Sequence, residues 1–147
     1  MFRTAARQLK VGNSVVVDCP LSRKSLYADA QTLAAEYNAD LAIVECVTLE
    51  KDIWQARLAA RSRSGSSDRA HKPADWETVQ NLIAGYQGAC NWTSDGSCKL
   101  SKHVVIDTSR GSAMELAASV AIRIGLLSPP ADATAGWPNP SRTGLED

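Results

Sequence analysis

Ser14-Val15-Val16-Val17-Asp18-Cys19-Pro20 is the stretch on which the fold turns. Three β-branched residues run into a carboxylate, and a proline two positions later forces a turn. A short all-apolar run suits a strand buried on both faces, which points to a parallel strand between helices. In such sheets the ligand crevice lies beyond the carboxyl ends of the strands. Asp18 then either faces that crevice or hydrogen-bonds the turn into the next helix.

On either side of this stretch the pattern turns helical. Residues 3–11 suit a short helix stopped by Gly12-Asn13. Pro20 and Ser22 open a helix over residues 23–37, with Leu26, Ala30, Leu33, Ala34 and Tyr37 as its apolar stripe. Leu41-Ala42-Ile43-Val44-Glu45-Cys46-Val47 is a second buried strand, so a strand–helix–strand unit is expected with strands 14–18 and 41–47 parallel. A helix begins near Leu49-Glu50 and carries Arg57 and Arg61 at i, i+4, where two guanidinium groups can converge on one target. Residues 61–69 are basic and rich in Ser and Gly, and they read as a solvated loop or as a lid closing over phosphates. A further helix is expected over residues 74–87, with Trp76, Val79, Leu82, Ile83 and Tyr86 inward. A polar loop over residues 88–102 and a third strand, His103–Asp107, follow. Ser109-Arg110-Gly111-Ser112 opens a last helix that runs to about Gly125, with Ala113, Ala117, Val120, Ala121 and Ile124 inward. Trp54, Trp76 and Tyr86 suit core packing, whereas Trp92 and Trp137 lack helical context and are expected at the surface.

Composition bounds the function classes. The 147 residues suit one domain. Sixteen basic and sixteen acidic residues give zero net charge, which offers no general case for nucleic-acid or membrane-surface binding. No apolar run approaches the ~20 residues of a membrane-spanning helix. The N-terminus lacks the apolar segment of a secretory signal, so a cytoplasmic location is expected, with a weakly transit-like basic stretch as the organellar alternative. Cys19, Cys46, Cys90 and Cys98 are then reduced thiols, and the Asn91-Trp92-Thr93 sequon goes unused. A metal site from His71, Cys90, Cys98 and His103 would need a spacing foreign to zinc knuckles.

VVVD followed by CPLSR, ADLAIVEC followed by W-x-x-R-L-x-x-R, HKPADW before a helix ending in GY, and the closing HVVIDTS together resemble the P-loop kinase-like nucleoside triphosphate hydrolases. The type is the AAA-domain group related to zeta toxins, polynucleotide kinases and small-molecule phosphotransferases, and the resemblance covers residues 8–125. It implies an α/β fold, three-layer α/β/α with a short parallel sheet, over residues 1–126. Within that domain 57–72 is lid-like, and 127–147 form a disordered Pro-rich tail. Strand 14–18 is similar to the third strand of that fold and strand 103–107 to the last. The resemblance makes Asp18 the catalytic carboxylate near a magnesium ion, and Arg23 the contact to the phosphoryl acceptor. Arg57 and Arg61 become phosphate-binding lid residues, and Thr108 to Gly111 lie near the nucleotide base, with Thr108 among the nucleotide-binding residues. ATP and Mg²⁺ are the cofactors of the intact family. A nucleotide or small molecule is the substrate.

One departure matters most. The family begins with a strand, a G-x-x-x-x-G-K-[ST] loop and a helix, and this sequence contains no such loop. The family's first strand lies between its third and fourth. Losing even one preorganised donor costs roughly 10²–10³ in rate, so without the phosphate cradle this chain is expected to be inactive alone. A missing central strand removes on the order of 10 kcal/mol of apolar burial. The chain is therefore expected either to be the C-terminal part of a kinase-like enzyme or to be a non-catalytic module that self-associates through exposed strand edges.

Overall fold

Two five-residue strands, β1 (Ile43–Val47) and β2 (His103–Asp107), pair in parallel and in register from Ile43–His103 to Val47–Asp107. They are the whole sheet among the described residues of this computed structural model, which are 1–63, 73 and 75–129, with Cys90 described for its backbone only. The helices are α1 (Phe2–Lys10), α2 (Lys24–Glu36), α3 (Lys51–Arg63), α4 (Trp76–Gly85) and α5 (Ala113–Arg123). The coarse class is thus mixed α/β. Each regular element other than strand 14–18 lies where the periodicity places it, within a few residues at the ends.

The strand expected at 14–18 does not form. Ser14–Asp18 has no ladder partner, and Val16 is 98% exposed. A strand is defined by its neighbour, because its backbone N–H and C=O groups must be paired or left to water. The β-branched run supplies the propensity, but no edge lies beside it. The strand–helix–strand unit expected from 14–18 to 41–47 therefore lacks its first strand, and the parallel pair is 43–47 with 103–107.

Helix termini follow local chemistry. Asp75 caps α4 by accepting from the Thr78 N–H at 2.8 Å and from its hydroxyl at 2.9 Å. Ser112 and Glu115 form a reciprocal capping box at the start of α5. Gly111 precedes it at φ +80°, a left-handed backbone that only glycine adopts without strain.

The apolar core is small. Ala5, Tyr27, Ala34, Leu58, Val79, Trp92, Val104 and Ile106 are buried, and none is sealed below 2% exposure. Trp92 corrects the expectation of a surface residue: it is buried, stacks on Tyr27 with centroids 5.1 Å apart, and donates its indole N–H to the Leu21 carbonyl at 3.0 Å. The 3-10 turn Ala89–Thr93 sets it there, so the polar loop after α4 docks onto the start of α2. Its polarity hid this, since Trp92 is the one buried side chain among the described residues of the loop.

Trp54 and Trp76 meet edge to face at 5.1 Å, with the Lys51 ammonium over Trp76. Elsewhere the expected stripes stay open. Leu82 and Ile83 of α4 are about half exposed, and no residue of α5 is buried. The sheet is lopsided in the same way. On one face Val104 and Ile106 of β2 are buried, while their registered neighbours Val44 and Cys46 of β1 are exposed. Of the tail expected from 127, residues 130–147 lie outside the described residues, as do 64–72 of the expected lid.

Candidate functional site at the carboxyl ends of the strands

Parallel pairing brings the residues that follow β1 and β2 to one end of the sheet, where parallel α/β folds place ligands. Thr48, Leu49 and Glu50 follow β1; Thr108, Ser109 and Arg110 follow β2. They are laced together by polar bonds. The Thr108 hydroxyl donates to the Val47 carbonyl at 2.8 Å and lies 2.9 Å from the Thr48 hydroxyl. Arg57 reaches across from α3, with one guanidinium nitrogen 2.6 Å from the Thr108 carbonyl and the other 3.3 Å from its hydroxyl. A hydroxyl has one proton and two lone pairs. With the Thr108 proton on Val47, Thr48 must donate to Thr108, and Arg57 takes the second lone pair. Thr108 is then saturated.

Asp107 closes the β2 end. Its Oδ1 accepts the Ser109 N–H at 2.9 Å and the Leu49 N–H at 3.2 Å, so one carboxylate ties both strand exits. The bonds from Ser109, then that from Leu49 and the charge of Arg110, hold its carboxyl below the usual aspartate range. Glu50 accepts from Arg110 at 3.3 Å, and the Glu50 N–H donates to the Ser109 hydroxyl at 3.1 Å. Arg57 and Arg110 are balanced by Glu50 and Asp107, so the cluster carries no net charge. It presents hydroxyls and one backbone-anchored guanidinium rather than a cationic cradle.

The lowered pKa of Asp107 has a pH consequence. A carboxyl whose folded pKa is depressed contributes stability above its unfolded pKa and loses it as pH falls through the folded value. The Leu49 and Ser109 amide resonances should therefore shift together on acidification, with one shared midpoint below that of an ordinary aspartate. NMR titration of Asp107→Asn should abolish that shared transition. Independent midpoints for the two amides would mean that Asp107 does not bridge the strand exits.

Of the residues singled out in the sequence, the structure brings Arg57 and Thr108 together and places Arg61 one turn further along α3. Asp18 and Arg23 stand apart from this cluster. The exposed Asp18 carboxylate makes no hydrogen bond or ion pair among the described residues, so neither cap nor site contact is formed. Arg23 occupies the N-cap position of α2 without a side-chain cap bond. Ser109 and Arg110 fall in the Thr108–Gly111 stretch expected near the nucleotide, whereas Thr48 and Glu50 were missed as members. Their signal was available: polar residues directly follow both parallel strands, as Thr48-Leu49-Glu50 and as Thr108-Ser109-Arg110.

The opposite end of the sheet holds an open depression of about 410 Å³ between α2 and the residues leading into the strands, including Tyr27, Gln31, Asp40 and Lys102. Lys102 and Asp40 pair at 2.9 Å on its rim. On one sheet face His103 Nε2 lies 3.0 Å from Glu45. Among the described residues no group of three His, Cys, Asp or Glu side chains converges as a metal site. No described helix is long and apolar enough to cross a membrane. No family model, no curated protein and no solved structure matches the chain.

Proposed function

We propose that this chain is the C-terminal part of an ATP-dependent, kinase-like P-loop enzyme that transfers phosphoryl groups to a small molecule or nucleotide, and that it is inactive alone. One observation carries the reading. Strand 103–107, similar to the family's last strand, pairs with 43–47, whereas 14–18, similar to the third strand whose neighbour would be the absent first strand, is unpaired among the described residues. A sheet that lost its centre would leave this pattern. In the completed enzyme strand 14–18 would join the sheet and give three layers. Asp18 would then be the catalytic carboxylate, Arg23 would face the acceptor, and Arg57, Arg61 and Thr108 would hold the nucleotide. Phosphoryl transfer is mainly positioning and charge stabilisation, so these groups act only once a phosphate cradle orients the nucleotide. Asp18 alone does not make a magnesium site.

The intact mass of the endogenous protein tests this reading. A strand, phosphate loop, helix and further strand add roughly 60–100 residues at ~30 per βαβ unit. A mass larger by that amount, with a Gly-Lys-Ser or Gly-Lys-Thr loop upstream, is the expected result. A mass of 15.7 kDa would overturn it.

The chain as it stands should bind polyphosphate weakly. A few charge-assisted contacts at about 1.5–3 kcal/mol each, less ordering costs, give roughly millimolar affinity. NMR titration with tripolyphosphate should shift the Arg57 side chain and the Thr108 and Ser109 amides. Arg57→Ala should remove most of that response. Unchanged binding in Arg57→Ala would detach Arg57 from the site.

A further inference from the structure

We propose that Ser14–Asp18 of one copy pairs as a strand with the outer edge of β1 in a second copy, so that two chains associate by reciprocal exchange. This does not rest on the phosphoryl-transfer reading. It follows from two complementary defects in one chain.

The first defect is an edge without a strand. In a parallel pair the N–H and C=O of one residue point to the same side, and successive residues alternate. The Ile43 N–H donates to Lys102, and the Val47 carbonyl accepts from Thr108, so residues 43, 45 and 47 face β2. Val44 and Cys46 therefore direct their N–H and C=O groups outward. Among the described residues nothing bonds them. Their side chains are exposed too, with Val44 at 39%. Free edges are commonly blunted by lysine, proline or a covering element. The β2 edge has such a cover, because Arg123 of α5 donates to the outward Val105 carbonyl at 3.1 Å. The β1 edge, Ile-Val-Glu-Cys-Val, has neither lysine nor proline, and its one charge is engaged with His103 on the sheet face.

The second defect is a strand without an edge. Ser14–Asp18 has the composition of a strand, is the same length as β1, and contains no proline or lysine. None of its backbone groups makes a hydrogen bond among the described residues. Val16 and Val17 face water, Val16 almost completely. The chain does not close on itself because the exit of this segment is pinned elsewhere. The Leu21 carbonyl is held by Trp92, and the Lys24 ammonium is bonded to the Ser97 carbonyl. A second copy supplies the missing member of each pair, and reciprocal exchange closes the assembly around a two-fold axis.

Light scattering coupled to size exclusion should give about 31 kDa, twice the chain mass of 15.7 kDa. N–H groups alternate along a strand, so only one of Val16 and Val17 can donate into the new ladder. Proline is tolerated where the N–H faces solvent and not where it bonds. One of Val16→Pro and Val17→Pro should therefore weaken association by at least about tenfold, while the other leaves it intact. Both positions are exposed and unbonded in the single chain, so neither substitution should reduce the helical circular dichroism. In the associated protein the Val44 and Cys46 amides should be protected from hydrogen exchange, and the disruptive proline should remove that protection while leaving Glu45 protected. A single-chain mass at ~100 μM, a concentration at which even micromolar association shows, would overturn the proposal. So would association that survives both prolines.

Discussion

Trp92→Ala should be the most damaging single substitution in this chain, costing about 3–5 kcal/mol, as large-to-small changes at buried aromatics do. A small domain has a net stability of about 5–15 kcal/mol, and this core is thin, so the loss would take a large share. Trp92 is the largest side chain among the buried set, and it reaches far along the chain: the Tyr27 ring and the Leu21 carbonyl lie more than sixty positions earlier. Leu21 itself sits at φ +43°, a left-handed backbone that costs a non-glycine residue about 1–2 kcal/mol and needs its surroundings to hold it. Trp92→Phe separates the two contributions. It keeps a ring against Tyr27 and loses only the indole bond, so about 1 kcal/mol plus the lost area should go. Urea unfolding followed by circular dichroism gives both values. A cost below about 1 kcal/mol for Trp92→Ala would mean that the loop is not what fastens β2 to α2.

The reading of the sequence succeeded and failed for physical reasons visible in these residues. Helices declare themselves locally: Asp75 and Ser112 mark their own N-termini, and 3.6-residue periodicity sets the rest. Strands β1 and β2 were legible as apolar runs, but Val15-Val16-Val17 is an equally good run and stays outside the sheet. Strand formation depends on what lies alongside, and the run itself does not encode that neighbour. Burial was overestimated for the same reason. Of the stripe expected on α4, Val79 is buried, whereas Leu82 and Ile83 stay about half exposed. The candidate site was half legible. Arg57 and Thr108 were named separately, but their meeting depends on parallel register, which places the exit of β1 beside the exit of β2. Asp107 was visible as a strand-end carboxylate, and its work of holding two backbone amides appears only once both exits are in place.

Thr108→Val should cost about 1–3 kcal/mol, although it preserves shape. The hydroxyl satisfies the Val47 carbonyl, receives the Thr48 proton and takes one arm of Arg57. Valine removes the acceptor of the Thr48 proton and leaves the Val47 carbonyl with only the Thr108 N–H at 2.7 Å, so two bonds are lost at a part-buried position. Arg57 should be affected far less. Its shorter bond, at 2.6 Å, goes to the Thr108 backbone carbonyl, which valine retains. A double-mutant cycle of Thr108→Val with Arg57→Ala should therefore give a coupling of only ~0.5 kcal/mol, near the limit expected for independent sites. A coupling above about 1.5 kcal/mol would mean that the hydroxyl, not the carbonyl, positions the guanidinium. The distinction bears on ligand binding. A guanidinium held by a carbonyl can exchange that neutral acceptor for an anionic phosphate oxygen, which bonds more strongly. Polyphosphate affinity should then be retained in Thr108→Val even as stability falls, so that fold and site respond to different halves of one residue.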